Sequence, residues 1–214
     1  GHGANEISLL VSASEAHSQK NLKRSRAEQW ANVRAMAAAA QGQFRLIGSL
    51  SVAFGCPLEG AVHEAVVIED AARFAELGCS HVAVADTTGM ATPRSIRRLF
   101  GRLLRELPQL QWVAHLHDTR GTGLVNALAA CEAGVRCFDS AFGGTGGHPA
   151  GLVYGGGYTG NVCTEDLVCL LEAEGLRTGI DLGGLIDTAT LCEQMLGRTL
   201  HGRVTRSGLL PGLA

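Results

Sequence analysis

Short apolar runs alternate with longer helical patterns along the chain, and this alternation restricts the fold more than any other feature. Five runs have the length and the branched, apolar composition of strands: EISLLVSA (6–13), FRLIGSLSVA (44–53), HVAVADT (81–87), QWVAHLH (111–117) and RCFDSAF (136–142). Helical patterns between such runs are typical of βα units. The sequence therefore predicts an α/β protein with a parallel sheet.

Local signals mark where the intervening helices begin and end. Ser25 followed three residues later by Glu28 forms a capping box and predicts a helix that runs to about Ala40. Gly78 suits a left-handed stop for the second helix. The third helix is predicted to begin at Thr92–Pro93, and the fourth to cover LVNALAACEA before Gly134. The fifth is predicted to begin at Thr164 with Glu165 and Asp166 in its first turn, and the last to begin at Asp181 or Thr188.

Two parallel architectures fit this pattern. An open doubly wound sheet can use five strands, but no G-x-G-x-x-G follows the first strand, so a dinucleotide site is poorly supported. A closed (β/α)8 barrel has eight strands and typically about 250 residues. If the chain of 214 residues is part of a barrel, about three strands are missing from it.

Composition excludes several classes of partner. Lys and Arg number 18 and Asp and Glu number 20, so no strong field favours nucleic acid. No apolar run reaches the roughly 18 residues that span a bilayer, and the first residues lack a signal pattern, so we expect a cytoplasmic protein without a membrane partner. Seven cysteines without a C-x-x-C pair predict reduced thiols rather than disulfides or a zinc site.

The segment VAHLHDTRGTG (113–123) places His115 and His117 two residues apart near the end of a predicted strand. Residues i and i+2 of a strand share a face, so the two imidazoles point the same way. They either take adjacent positions around one metal ion or are hydrogen-bonded core residues. Asp118 and Arg120 follow directly and either orient a substrate or pair with each other.

A glycine-rich stretch, GGTGGHPAGLVYGGGYTGN (143–161), follows the fifth predicted strand and ends at Asn161. Asn161 is either a third metal donor or a capping residue. Two imidazoles with oxygen donors suit Mg²⁺ or Mn²⁺ better than a structural zinc. The glycines fit a loop that closes over a ligand, or else a disordered surface loop. Cys56 is either a nucleophile or a buried structural thiol.

Longer segments of the chain resemble one family. HLHDTRGTGLVNALAACEAGV, FDSAFGGTGGHP and TGNVCTEDLVCLLEAEGLRTGIDL are similar to the 3-hydroxy-3-methylglutaryl-CoA lyases, which are metallolyases of the TIM-barrel group. The resemblance extends upstream through VSASEAHSQKNLKRS, SLSVAFGCPLEG and VAVADTTGMATP. It implies a (β/α)8 TIM barrel of which residues 1–214 form a single partial domain with roughly the last five βα units. The family's opening Arg-Asp pair and second-strand glutamate are absent from these residues, so we expect the fragment alone to be inactive.

The resemblance also implies a site and a reaction. His115, His117 and Asn161 would bind a catalytic Mg²⁺ or Mn²⁺, Asp86 would lie near the substrate hydroxyl, and Asn21 would lie beside the acyl-CoA. The metal would bind the tertiary hydroxyl and the carboxylate and ease removal of the hydroxyl proton. Retro-Claisen cleavage would then give acetyl-CoA and a 3-keto acid such as acetoacetate. Homodimers are common in such barrels, so a homodimer is an expectation.

One position departs from the family. Where its glycine-rich loop carries G-G-C-P, this chain has Gly146-Gly147-His148-Pro149. His148 either replaces the cysteine as proton donor to the enolate, since histidine titrates near neutral pH, or reflects drift toward another substrate or weak activity. The alternatives to a lyase are a Claisen-type synthase or aldolase of the same barrel group and a non-catalytic CoA-binding remnant.

Overall fold

Five parallel strands form a single sheet in the computed structural model, which describes residues 3–147 and 160–212. The strands are β1 (Glu6–Ser12), β2 (Arg45–Ser51), β3 (His81–Asp86), β4 (Gln111–Leu116) and β5 (Cys137–Asp139). They lie side by side in chain order. A doubly wound sheet would reverse its strand order, whereas a (β/α)8 barrel never does. The five predicted strands and the partial barrel are confirmed.

Eight helices accompany the strands within the described residues: α1 (Glu15–His17), α2 (Arg26–Ala40), α3 (Glu64–Glu76), α4 (Pro93–Glu106), α5 (Gly123–Ala133), α6 (Thr164–Ala173), α7 (Leu182–Leu196) and α8 (Val204–Ser207). The capping box of Ser25 and Glu28 is present in both directions. Asp181, rather than Thr188, caps α7. The sequence predicted α2 to α7 but not α1, α8, the π-helical turn Ser18–Leu22 or the 3₁₀ turn Phe142–Gly144.

The helices bury one face of the sheet. Leu9, Val11, Leu50, Val84 and Trp112 alternate with their neighbours along the strands and belong to the main core, together with apolar residues of α2 to α6. No helix within the described residues has both the length and the apolar character needed to cross a membrane. The core residues named above hold the helices against one face of the sheet.

The opposite face of the sheet becomes small and polar toward the carboxyl ends of the strands. The register aligns one row across all five strands: Leu10, Ser49, Ala83, Val113 and Cys137. Two residues further along each strand, the same face carries Ser12, Ser51, Ala85, His115 and Asp139. This second row lies at the carboxyl ends of the strands, where parallel α/β folds bind ligands.

Close packing fixes α3 against β2. Phe74 is fully buried, and its ring centroid lies 4.9 Å from that of Trp30 on α2. Gly48 on β2 makes this possible, because a Cβ atom there would lie 2.6 Å from the Phe74 ring. A single aromatic side chain thus joins one strand to two helices.

Candidate active site

Two imidazole rings meet at the end of β4. The Nε2 atom of His117 lies 3.3 Å from the Nε2 atom of His115, and the ring centroids are 5.2 Å apart. His117 is 4% exposed, whereas the His115 side chain keeps 28% of its surface exposed. Two ring nitrogens that face each other at this distance can share a proton or bind one cation.

Asn161 is brought to the same place by backbone pairing. The segment Gly160–Val162 runs antiparallel to the end of β4: Asp118 N donates to Gly160 O at 2.8 Å, and Val162 N donates to Leu116 O at 2.9 Å. His117 and Asn161 therefore form a bridge pair. Residues directly opposite each other in an antiparallel pair project to the same side, so their side chains are neighbours.

The two polar atoms of the Asn161 amide differ in their contacts. Its Nδ2 atom donates to Thr145 O at 2.8 Å, while its Oδ1 atom is buried and has no hydrogen-bond partner among residues 3–147 and 160–212. An unpaired buried acceptor costs about 1–3 kcal/mol, which a bound cation would offset. Amide oxygens are also among the ligands that bind Mg²⁺ and Mn²⁺. The residues present thus fit a divalent cation.

The donor set that this chain supplies is incomplete. Within residues 3–147 and 160–212, no group of three or more His, Cys, Asp or Glu side chains is arranged to hold a metal ion. The two imidazoles and the Asn161 oxygen make three donors, fewer than the six that Mg²⁺ prefers. A cation bound by them would keep open positions for other oxygens, as catalytic metal sites do.

Asp139 on β5 supports the histidine pair. Its Oδ2 atom lies 3.0 Å from the Nδ1 atom of His115, with which it is paired in the sheet register. The hydrogen bond from His115 holds the pKa of Asp139 below its ordinary value. In the sequence, Asp139 is only one residue of the fifth predicted strand, RCFDSAF (136–142). The feature that could have indicated its role is His115, which occupies the matching position on the preceding strand.

Asp86 ends β3 and is 1% exposed. Its Oδ1 atom accepts from Met90 N at 2.7 Å and its Oδ2 atom from Ala91 N at 3.1 Å, so both carboxylate oxygens hold the loop that leads into α4. Burial raises the pKa of Asp86 to about 6, although the two amides and Arg120 act in the opposite direction. The position of this carboxylate near a substrate hydroxyl stays a prediction.

The raised pKa of Asp86 predicts a pH-dependent stability. The folded state binds the proton more tightly than the unfolded state, so this group's contribution is complete below the ordinary pKa of 3.8 and is lost as the pH rises through about 6. The advantage of the wild type over Asp86→Asn in free energy of unfolding should therefore shrink from about pH 4 to about pH 6 and then level off. Urea unfolding of both proteins across that range measures it. A difference that grows with pH would show that the amides outweigh burial.

Asp118 and Arg120 form hydrogen bonds with two different loops rather than with each other. Asp118 Oδ1 accepts from Gly123 N at 2.6 Å, at the start of α5. Arg120 Nη1 donates to the carbonyl oxygens of Thr88 and Gly89 at 2.7 and 2.9 Å. The loop after β4 is thereby clamped to the loop after β3. The clamp connects the histidine segment with the loop that Asp86 shapes.

Two other predicted positions, Asn21 and Cys56, lie elsewhere, and a third, His148, cannot be placed. Asn21 is half-buried in the π-helical turn after β1, three strands from β4 in the sheet. His148 lies outside the described residues. Cys56 is fully buried and accepts a hydrogen bond from Ser14 Oγ at 3.0 Å, which favours the structural thiol over the nucleophile.

Two buried acids at the start of α6 secure the segments around Asn161. Glu165 accepts from Gly143 N at 3.0 Å, and Asp166 accepts from Arg203 N at 2.9 Å and from Val204 N at 2.8 Å. Both carboxylates were predicted only as favourable charges at a helix N-terminus. They also tie the turn after β5 and the segment before α8 to the beginning of α6.

Gly146 leaves room for the Asn161 amide. Its φ is +99°, and a Cβ atom there would lie 2.5 Å from Asn161 Nδ2. Because the amide nitrogen is held by Thr145 and the backbone by β4, the side chain has little freedom to move away. Glycine at position 146 is therefore required for the observed orientation of Asn161.

Gly146→Ala should lower Mn²⁺ affinity roughly 10–100-fold, the usual effect of disturbing the support of a metal ligand. Gly175→Ala is the matched control, since Gly175 also has a positive φ, +76°, but nothing lies within 4 Å of its Cβ position. Both variants should lose about 1–3 kcal/mol of stability from backbone strain. Titration with Mn²⁺ separates them, and equal affinities would show that Gly146 does not control Asn161.

Comparison with known proteins finds sequences that are similar to this chain along most of its length. The sequence profile of the HMGL-like family matches residues 2–192. Human mitochondrial hydroxymethylglutaryl-CoA lyase is 35% identical over 206 residues, which cover 96% of this chain and 62% of the human protein. The (R)-citramalyl-CoA lyase of Chloroflexus aurantiacus is 36% identical over 207 residues, covering 96% and 64%. The chain thus spans less than two thirds of the length of these relatives.

Solved structures of similar proteins have the same fold as this chain. The HMG-CoA lyase from Acinetobacter baumannii, determined with coenzyme A and 3-methylmalate, superposes with a TM-score of 0.90 at 37% identity, covering 98% of this chain and 68% of that one. The carboxyl transferase domain of Rhizobium etli pyruvate carboxylase reaches a TM-score of 0.63 at 19% identity, which is a similarity of fold alone.

Proposed function

Since this chain belongs to the HMGL-like family, we propose that it carries part of the active site of a divalent-metal-dependent carbon–carbon lyase. Residues 1–214 form a single partial barrel domain of that enzyme. The substrate is 3-hydroxy-3-methylglutaryl-CoA or a related 3-hydroxyacyl-CoA. Retro-Claisen cleavage yields acetyl-CoA and a keto acid, which is the 3-keto acid acetoacetate when 3-hydroxy-3-methylglutaryl-CoA is the substrate.

Two observations support this proposal. The Nε2 atoms of His115 and His117 face each other at 3.3 Å, and the backbone bridge between His117 and Asn161 brings to this strand end an amide oxygen that has no hydrogen-bond partner among the described residues. Bound Mg²⁺ or Mn²⁺ would supply Lewis-acid polarisation that makes the substrate hydroxyl more acidic. The donors come from the strand end and from a loop pinned to it, so they are preorganised.

The chain's own residues then bind and orient the substrate. A cleft of about 380 Å³ adjoins Asn161, and Arg203 in its lining suits an anionic group of the acyl-CoA. Asp86 and Arg120 hold the two neighbouring loops in shape. When a base takes the hydroxyl proton, the oxygen electrons form the C3 ketone, the bond between C2 and C3 breaks, and its electron pair stays on C2 as the acetyl-CoA enolate, which takes up one proton. His148 remains our candidate donor for that proton.

A steady-state assay of the protein carrying this sequence tests the proposal. With Mn²⁺ present, we expect acetyl-CoA to be released from 3-hydroxy-3-methylglutaryl-CoA or from (R)-citramalyl-CoA, with acetoacetate or pyruvate as the second product. Chelation with EDTA should stop the reaction. Condensation without cleavage would identify a synthase, and failure to bind either acyl-CoA or Mn²⁺ would contradict the proposal. A homodimer and a cytoplasmic location stay predictions.

A further inference from the structure

We propose that Asp139 is a positioning residue that fixes the tautomer of His115 and so prepares the histidine pair for a divalent cation. This inference rests on the function proposed above. It assigns the metal-binding atom of His115 as Nε2. It also gives a task to a carboxylate that the reaction itself does not use.

The geometry leaves one arrangement of the proton. Asp139 Oδ2 lies 3.0 Å from His115 Nδ1. Aspartate is ionised at neutral pH, and an ionised carboxylate can only accept hydrogen bonds. The hydrogen between the two residues therefore belongs to Nδ1 of His115. In the neutral ring, Nε2 then carries the lone pair.

That lone pair is directed at the neighbouring histidine. His115 Nε2 faces His117 Nε2 at 3.3 Å, so the nitrogen kept free of a proton by Asp139 is the one that meets the second imidazole. A proton on Nε2 of His115 would block this position for a cation. Carboxylate partners of this kind orient metal-binding histidines in other proteins and raise their basicity.

The β5 end holds Asp139 in place without depending on it for folding. Ser140 Oγ lies 2.9 Å from Thr164 Oγ1, and Ala141 pairs with Cys163, which fastens the end of β5 to the start of α6. The Asp139 side chain itself is 55% exposed. Exposed ion pairs contribute little to stability, so the effect of Asp139 can be measured in a folded variant.

The experiment compares Asp139→Ala with the wild type and with Asp187→Ala, a control at an exposed aspartate on α7. Mn²⁺ titration should show a loss of roughly 10–100-fold in affinity for Asp139→Ala and none for the control. ¹⁵N NMR of metal-free protein at about pH 8 should show His115 protonated at Nδ1 in the wild type and shifted toward Nε2 in Asp139→Ala.

Each outcome decides a separate point. An unchanged His115 tautomer in Asp139→Ala overturns the inference even if Mn²⁺ affinity falls, because a structural disturbance would weaken binding without moving the proton. Unchanged Mn²⁺ affinity with a shifted tautomer also overturns it. If the wild type binds no Mn²⁺, the proposed function fails and the metal part of the inference fails with it, while the NMR result still decides whether Asp139 sets the tautomer.

Discussion

Replacing His117 with alanine is expected to abolish Mn²⁺ binding and to lower kcat for acyl-CoA cleavage at least about a thousandfold. The ring is buried, and its Nε2 atom faces that of His115 at 3.3 Å, so alanine removes a nitrogen that the proposed cation requires. Losing a metal ligand removes several kcal/mol of charge stabilisation, and each 1.36 kcal/mol is about tenfold in rate. Calorimetric titration with Mn²⁺ and acetyl-CoA release measure the two effects.

His63→Ala is the matched control for that variant. His63 is an exposed histidine at the N-terminal cap of α3 and makes no side-chain capping bond there, so its loss should leave both readouts unchanged. If His117→Ala keeps its activity within about tenfold of the wild type, less than about 1.4 kcal/mol of transition-state stabilisation has been lost. His117 would then be a core histidine rather than a ligand.

The largest effect on stability is expected from Phe74→Ala, at about 3–5 kcal/mol of the free energy of unfolding. Phe74 is fully buried between β2 and α2, and its contacts with Gly48 and Trp30 leave a cavity when the ring is removed. The urea midpoint should fall while the slope stays the same. Met36→Ala, at a side chain that is 43% exposed, should change the free energy of unfolding far less.

A double variant sharpens this test. A Cβ atom at position 48 would lie 2.6 Å from the Phe74 ring, so Gly48→Ala alone should be destabilising. In the Phe74→Ala background the added methyl group enters the space that the ring has left. The combined loss should therefore be smaller than the sum of the single losses. Additive losses would show that the two positions do not share this packing.

Periodicity in the sequence was enough to predict the strands and the long helices, because each depends on neighbours within a few residues. Ser25 with Glu28 locates one helix start through local hydrogen bonds, and Thr92 followed by Pro93 locates another because proline is tolerated at the first helical position. The short α1 and the π-helical turn after it gave no such signal. They depend on contacts such as Ser14 with Cys56, which are 42 residues apart in the chain.

The candidate site was predictable only in part, because some of its contacts also join residues that are far apart in the chain. Alternation along a strand is sufficient to place His115 and His117 on one face. The contact with Asp139 requires the β4 to β5 register, and the orientation of Asn161 requires Thr145 and the pairing with His117. No local pattern specifies these long-range pairings. The role of Arg120 likewise depends on its contact with the loop after β3, about 30 residues earlier in the chain.

The proposed donors all come from two consecutive βα units, from His115 on β4 to Asn161 just before α6. The loops after β1, β2 and β3 belong to other units of the sheet. Under the proposed function, substitutions in the loops after β1 and β2 are therefore expected to change the preference for acyl groups without altering the proposed cation ligands, whereas the loop after β3 is tied to the histidine segment by Arg120. Proteins that descend from one ancestral gene can then come to differ in their substrates while they keep the same type of reaction.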